Sequence, residues 1–222
     1  MTDYIELKKL NNNRILATKY AQFVESPRDW DNFGTMLCFK HRNYTFGDKQ
    51  TSDVEDVESI INSKKHISLR LRVYDHSGVS MSTSNAYPYN DYWDSAFAGI
   101  IYVSLEDIRK EFSIKRVTKG IRAKAIEILE AEVKLYSFYM EGSVYDYDVY
   151  TYVGSENFEE LDLDEDEDEM KKEIQYNEKN FELDEDYSTE YFGCYFDFVK
   201  EVTEELNAEE QPTKVVEELV HA

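Results

Sequence analysis

The sequence predicts an α+β fold in which a mostly antiparallel sheet packs against helices, as a single main domain with an acidic C-terminal region. Short segments that alternate apolar and polar residues follow one another without the regular strand–helix alternation of a parallel α/β fold. Segments with apolar residues three or four positions apart lie between and after them. The 222 residues include 18 Tyr and 12 Phe, and so many aromatic side chains favour a packed core over a disordered chain.

The strands are predicted mainly in the first half of the chain. Residues 4–10 alternate as a half-buried strand does, and residues 14–23 are interpreted as a second strand or a short helix. Residues 35–39 form an apolar run of strand length. The clearest alternation is in residues 67–74, and the following Asp-His-Ser-Gly predicts a hairpin turn into residues 79–83. Residues 98–103 are predicted as a further strand.

Three helices follow from capping residues and periodicity. Ser52 with Glu55 three positions later resembles a capping box, and Ser104 begins a second helix with acidic residues in its first turn, where the helix dipole favours them. The strongest helix is predicted over residues 119–139, because its apolar residues form one stripe. Gly142 is expected to end it.

The C-terminal part is predicted in three pieces. Residues 143–153 form a strand with Asp146 and Asp148 on one face, and they complete a near-neutral body over residues 1–154. Residues 155–186 are predicted as an acidic insertion, for which both a flexible and an ordered conformation are considered. Residues 187–222 are expected to give a strand (187–196) and a helix (196–206) that pack on the body, followed by a frayed tail.

The charge is divided very unevenly along the chain. Residues 1–140 contain 19 Asp or Glu and 20 Lys or Arg, whereas residues 141–222 contain 28 Asp or Glu and 5 Lys. Such a division of charge affects how the protein associates with other molecules, and it favours a basic partner. The net negative charge disfavours binding to anionic membranes and direct binding to nucleic acids. Without a spanning apolar run or a signal peptide, a cytoplasmic protein is expected, with Cys38 and Cys194 as buried free thiols.

Several separate motifs lie in residues 26–150. The motifs are Trp30-Asp31-Asn32-Phe33-Gly34-Thr35-Met36, Cys38-Phe39, His41-Arg42-Asn43-Tyr44, Gly47-Asp48, Tyr74-Asp75-His76-Ser77-Gly78, Ser82-Thr83, Trp93-Asp94-Ser95 and Gly99-Ile100-Ile101-Tyr102-Val103. In these residues the chain resembles a family of small, mostly uncharacterised proteins of Gram-positive phages and mobile elements. The resemblance implies a phage or mobile-element origin and a bacterial host cell, and it implies no particular activity.

No catalytic or cofactor-binding motif is evident, so no catalytic residue, no cofactor and no enzyme activity are predicted. Asp75-His76-Ser77 contains the residue types of a hydrolytic triad, but neighbours in sequence rarely converge as a triad requires. An alternative is a metal-dependent hydrolase in which His41, His76, Asp75 and Asp94 meet at a metal ion. The sequence contains no HxxxH, HxH or CxxC spacing to support that alternative.

The acidic segment has three interpretations. The first is a solvated loop that repels itself and resists packing. The second is a cation site, but the alternating Asp162, Asp164, Asp166 and Asp168 lack the glycine that an EF-hand loop needs. The third is mimicry of the phosphate lattice of a nucleic acid, which is presented to proteins as a dense array of negative charge. The acidic residues also occur on predicted strands and helices, where aromatic residues lie between them. This distribution favours the third interpretation, mimicry of a phosphate lattice.

The sequence therefore predicts a counter-defence protein that inhibits a host DNA- or RNA-handling protein, such as a CRISPR effector, a restriction enzyme or another nuclease, by covering its basic groove. An acidic adaptor for a basic phage protein is an alternative. The predicted partner-binding residues are Asp146, Asp148, Glu159, Glu160, Asp162, Asp164, Glu165, Asp166, Glu167, Asp168, Glu169, Asp184, Glu185, Asp186, Glu190, Asp197, Glu201, Glu204 and Glu205.

Overall fold

The fold was analysed in a computed structural model, which describes residues 3–76, 78–83, 93–161, 163–176, 180–184 and 190–208. These residues form an α+β fold whose sheets are mainly antiparallel, which confirms the predicted fold class. The strands are β1 (Tyr4–Lys9), β2 (Arg14–Tyr20), β3 (Thr35–Phe39), β4 (Lys49–Thr51), β5 (His66–Asp75), β6 (Val79–Ser82), β7 (Ser95–Ser104), β8 (Val144–Tyr152), β9 (Phe181–Leu183) and β10 (Tyr191–Phe192). The helices are α1 (Val54–Ile61), α2 (Leu105–Glu111), α3 (Lys119–Glu141), α4 (Leu163–Gln175) and α5 (Tyr195–Ala208).

The chain divides into two compact units. Unit 1 comprises Met1–Val24 and Ser143–Ala222, and unit 2 comprises Glu25–Gly142. The division differs from the predicted boundary at residue 154, because the first two strands belong with the C-terminal elements. The two ends of the chain therefore build one unit, and the middle of the chain builds the other.

Unit 2 contains a five-stranded sheet in the order β4-β3-β7-β5-β6. The predicted hairpin is confirmed, because β5 and β6 pair antiparallel with Asp75 opposite Val79. On one face of the sheet, Leu71 and Val73 of β5 pack with Leu129 and Val133 of α3. The short β4, which the sequence did not indicate, pairs parallel with β3.

The helices of unit 2 begin and end largely as predicted. Ser104 caps α2 by accepting a hydrogen bond from the Asp107 amide, and Gly142 ends α3 in the left-handed conformation. The cap of α1 is Asp53 rather than the predicted Ser52, because the Asp53 carboxylate accepts from the Glu55 amide. Of the two free thiols, Cys38 is buried as predicted, and burial raises the pKa of its thiol to about 12.

Unit 1 contains the sheet β1-β2-β8-β10, with β9 also paired to β8. Its central contact joins β2 and β8 antiparallel, from Arg14 opposite Thr151 to Tyr20 opposite Tyr145. Cys194 lies in this unit and is exposed, so the prediction of a second buried thiol is wrong.

The two helices of unit 1 cover opposite faces of this sheet, because successive strand residues point to opposite sides. Ile15 and Tyr150 pack on one face with Met170 and Ile174 of α4. Leu16, Tyr147 and Val149 pack on the other face with α5. The side chains that α5 buries there are Phe198, Val199, Val202 and Leu206. The sheet therefore stands between α4 and α5.

The segment predicted as an acidic insertion contains regular structure. A 3₁₀ turn (Phe158–Glu160), α4 and β9 lie within residues 155–186. Phe158, Met170, Ile174 and Phe181 of this segment are buried. Of the predicted strand over residues 187–196, the structure shows β10 at Tyr191–Phe192, and residues 187–189 lie outside the described part of the chain.

Candidate functional site

The negative charge of the protein belongs to unit 1. By sequence, unit 1 contains 29 acidic and 9 basic residues, a net charge of −20, and unit 2 contains 18 acidic and 16 basic residues, a net charge of −2. The predicted partner-binding residues all fall in unit 1. Those that the structure describes lie inside the unit, on α4, on α5, or dispersed elsewhere in unit 1.

Two of the predicted residues, Asp146 and Asp148, share one internal cation, Lys19. Both lie on the same face of β8, as predicted; Asp146 is opposite Lys19 of β2, and Asp148 is opposite Ala17. The Lys19 ammonium lies 2.6 Å from one oxygen of Asp148 and 3.8 Å from Asp146. The Tyr4 hydroxyl donates to Asp148 at 2.8 Å and lies 2.7 Å from the Tyr150 hydroxyl. These two carboxylates therefore hold strands together and are not offered to a partner.

The two tyrosines beside these carboxylates remain neutral phenols. Burial is the main cause that raises the pKa of Tyr4, and its hydrogen bonds to Tyr150 and Asp148 raise it further. Burial also raises the pKa of Tyr150. A neutral phenol keeps its proton for donation, so the cluster is a structural hydrogen-bond network at neutral pH.

The acidic residues of α4 divide between structure and surface. β1 is an edge strand, and its outward backbone groups are covered by α4: the Leu7 amide donates to Glu167 at 3.1 Å, and Lys171 donates to the Ile5 carbonyl at 2.9 Å. Glu167 and Lys171 are themselves 2.9 Å apart. This pair blocks an edge that would otherwise template another strand. Asp168 and Glu169, in contrast, are exposed.

The acidic residues of α5 are on its solvent-exposed side, and one of them, Glu201, also accepts a hydrogen bond from the Tyr191 hydroxyl of β10. Asp197, Glu201, Glu204 and Glu205 are all exposed. We call these four residues the α5 surface. They lie along the flank of the helix beside its four buried apolar residues, and each of those contributes roughly 1.5–3 kcal/mol when buried. The position of the α5 surface is therefore fixed by a packed helix.

The helix dipole distinguishes the acidic residues of α4 from those of α5. The acidic run of α4 begins in its first turn, where the dipole favours negative charge. Glu205 lies in the last turn of α5, Glu204 directly precedes it, and that turn contains no basic residue. Negative charge is unfavourable there by about 0.3–1 kcal/mol per residue. Helix stability therefore explains the acidic start of α4 but not the acidic end of α5.

The remaining predicted residues are dispersed over unit 1. Glu160 accepts from Asn157, and Asp184 accepts from Thr151 at 2.7 Å. Glu159 and Glu190 are exposed. Asp162, Glu185 and Asp186 lie outside the described residues, and for Asp164, Glu165 and Asp166 only the helical backbone is described.

The predicted residues whose side chains are described therefore do not form one continuous face. The sheet separates α4 from α5, so Asp168 and Glu169 lie on one side of unit 1 and the α5 surface on the other. Sequence reasoning could not find this separation, because it depends on which strand face each helix covers.

An exposed aromatic side chain beside the α5 surface was missed by sequence reasoning. Phe196 is 81% exposed. It lies between the half-buried Tyr195 and the exposed Asp197. It borders a groove of about 330 Å³ that also includes Val199 and the β1 residues Glu6 and Lys8. The available signal was its position: Phe196 and Phe198 are two residues apart in a helix, so they cannot both face the sheet.

The residues of the alternative metal site form two separate pairs in unit 2. His41 Nε2 lies 3.3 Å from Asp75, which also pairs with Arg42 at 2.8 Å. His76 Nδ1 lies 2.8 Å from Asp94. Among the residues that the structure describes, no three His, Cys, Asp or Glu side chains are grouped to hold a metal ion. The four residues tie a hairpin turn and two loops to the sheet.

No protein-family model, curated protein or solved structure matches the chain. In the described part of the chain, none of the helices combines the length and apolar character needed to cross a bilayer.

Proposed function

We propose that the protein binds the basic nucleic-acid groove of a DNA- or RNA-handling enzyme through the α5 surface, and so inhibits that enzyme. The observation that carries the proposal is the row of exposed carboxylates on a helix whose other side is buried. Carboxylates at fixed positions imitate a phosphate lattice, whereas a flexible acidic run only adds diffuse charge.

The spacing of the α5 carboxylates suits a groove made for phosphates. Asp197 and Glu205 are eight residues apart, which corresponds to about 12 Å along a helix. Four carboxylates within that length approach the density of one strand of B-DNA, which carries one charge per roughly 3.4 Å. Lys200 lies on the exposed side of the helix as well and offsets one of these charges.

Phe196 gives this surface an apolar contact that a phosphate lattice lacks. Binding sites concentrate their energy in a few aromatic residues that become buried among polar neighbours. Phe196 is exposed next to Asp197, at the start of the acidic row. Charge then attracts the enzyme, and burial of Phe196 slows its release.

The class of target remains that predicted from the sequence. A surface that imitates phosphates fits a nuclease, a restriction enzyme or a CRISPR effector, and the resemblance of residues 26–150 to proteins of phages and mobile elements supports a counter-defence role. Unit 2, with a net charge of −2, contributes little to the electrostatic attraction.

The proposal is tested by inhibition and pull-down assays on a panel of such enzymes at rising salt. The test variant neutralises the α5 surface: Asp197→Asn, Glu201→Gln, Glu204→Gln and Glu205→Gln. The matched control removes four charges from exposed positions of unit 2: Glu55→Gln, Glu58→Gln, Glu127→Gln and Glu130→Gln. We expect the α5 variant to lose inhibition at least a hundredfold and the control to lose less than threefold, since close charge pairs at an interface are worth several kcal/mol and distant ones little.

Two results would contradict the proposal. Equal losses in both variants would mean that only the net charge matters, and no loss in either would place binding elsewhere. Binding that depends on the α5 surface but leaves the enzyme active would indicate the adaptor role instead.

A further inference from the structure

A pocket on the α4 side of unit 1 combines an aromatic floor with a carboxylate rim. Its volume is about 300 Å³, which lies at the lower end for binding pockets and suffices for one long side chain. Tyr152, Met170 and Phe181 supply the floor, and Glu156 and Glu169 approach it from the loop after β8 and from α4.

The floor is built by strand pairing. Tyr152 and Phe181 are opposite each other in the β8–β9 ladder, and their ring centroids are 5.4 Å apart. The Tyr152 ring lies over Gly154, where any Cβ would collide with the ring atoms. Glycine at position 154 is therefore what allows the ring to fold back and form the floor.

The rim carries negative charge toward solvent. Glu156 and Glu169 are both exposed, and neither forms an ion pair with any residue in the part of the chain that the structure describes. A cationic side chain that enters the pocket passes between the two rim carboxylates and brings its charged end against the aromatic floor.

We propose that this pocket receives a single arginine side chain of the basic partner. This inference rests on the proposed function and adds a recognition element to it. A guanidinium is planar and weakly hydrated, so it stacks on aromatic rings and bonds carboxylates in the same pose, whereas a lysine ammonium is a strongly hydrated point charge. The pocket lies on the face of the sheet opposite the α5 surface. The arginine that enters it therefore belongs to a different element of the partner from the one that contacts the α5 surface.

Methionine methyl NMR gives a direct readout of this pocket. The chain has five Met residues; Met170 lines the pocket, and Met36 and Met81 are buried in unit 2 as internal references. The full chain, labelled at its methionine methyl groups, is titrated with a nona-arginine and a nona-lysine peptide. We expect the Met170 signal to shift with the arginine peptide and much less with the lysine peptide, while Met36 and Met81 stay in place.

Affinity measurements on two matched variants complete the test. Glu156→Gln with Glu169→Gln removes the rim charges, and Glu201→Gln with Glu204→Gln removes two charges from the α5 surface. All four positions are exposed, so both variants are expected to fold. The rim variant should lose five- to tenfold in affinity for the arginine peptide and lose the preference for arginine over lysine. The variant with Glu201→Gln and Glu204→Gln should keep that preference.

The outcomes separate this inference from the proposed function. Equal Met170 shifts with both peptides, or a preference for arginine that survives in the rim variant, would overturn the arginine pocket and leave inhibition through the α5 surface untouched. The opposite result is also distinguishable. If the unmodified protein prefers the arginine peptide and the rim variant does not, but the variant with all four α5 substitutions still inhibits the enzyme, the proposed function alone would be overturned.

Discussion

The two units use their acidic residues in opposite ways. In unit 2, the side chain of Arg28 is 4% exposed and bonds Asp48 at 2.6 Å and Glu132 at 3.0 Å. Those carboxylates also accept backbone amides, Asp48 from Met36 and Glu132 from Phe33. In unit 1, the α5 carboxylates face solvent, whereas the strand residues Asp146 and Asp148 share the internal cation Lys19.

The comparison shows that the sum of charges is a poor guide to a binding surface. A carboxylate that bonds a buried arginine and backbone amides stabilises the fold, whereas one on the outer side of a packed helix is available to a partner. Asp146 and Asp148 belong to the first kind although they lie in the acidic third of the chain. Substitutions at three places test this distinction by their effect on the free energy of unfolding, beginning with carboxylates that stabilise the fold and ending with those exposed on α5.

The largest effect is expected for Arg28→Ala in unit 2. Removal of the guanidinium leaves Asp48 and Glu132 together without their cation, and breaking such a buried pair costs about 3–5 kcal/mol of the free energy of unfolding. Arg42→Ala is the control, because Arg42 is 58% exposed at its pair with Asp75 and exposed pairs contribute about 0–1 kcal/mol. Urea unfolding measures both, and equal losses would show that the Arg28 cluster is not structural.

An intermediate effect is expected for Lys19→Met in unit 1. The change leaves Asp146 and Asp148 as like charges on one strand face, at a cost of about 1–3 kcal/mol. Lys200→Met, at an exposed position of α5, should change stability by less than about 0.5 kcal/mol. Hydrogen exchange should show lost protection in β2 and β8 and unchanged protection in unit 2. Loss in both units would mean that they unfold together.

The smallest effect has the opposite sign. Glu204→Gln with Glu205→Gln should raise the free energy of unfolding by about 0.5–1 kcal/mol, because the substitutions remove negative charge from the end of α5 where the helix dipole disfavours it. Thermal unfolding at low and high salt measures the gain, which should shrink as salt screens the charges. A loss of stability would show that these carboxylates serve the fold, and would weaken their assignment to a partner.

Elements with strong local signals were predicted well. β3, the β5–β6 hairpin and α3 have bounds close to those expected, because alternation, turn residues and a long apolar stripe act within one segment. The helix α4 was missed because its acidic run hides a short apolar signal. Among its described side chains, Met170 and Ile174, four residues apart, mark its buried side. The candidate site was predicted in part, since the acidic α5 residues are exposed but Phe196 and the pocket at Tyr152 were not foreseen.

By itself, the sequence determined the fold class, the local elements and the concentration of negative charge in the last third, because periodicity, capping and composition are properties of neighbouring residues. The tertiary structure decided what each acidic residue is used for. Pairing of β2 with β8 brings Lys19 to Asp146 and Asp148, which are 127 and 129 positions further along the chain, and so ties both carboxylates into the fold. The same sheet sends α4 and α5 to opposite faces, because successive strand residues alternate sides. Such long-range contacts are set by the packing of the whole unit and leave no pattern in any one segment.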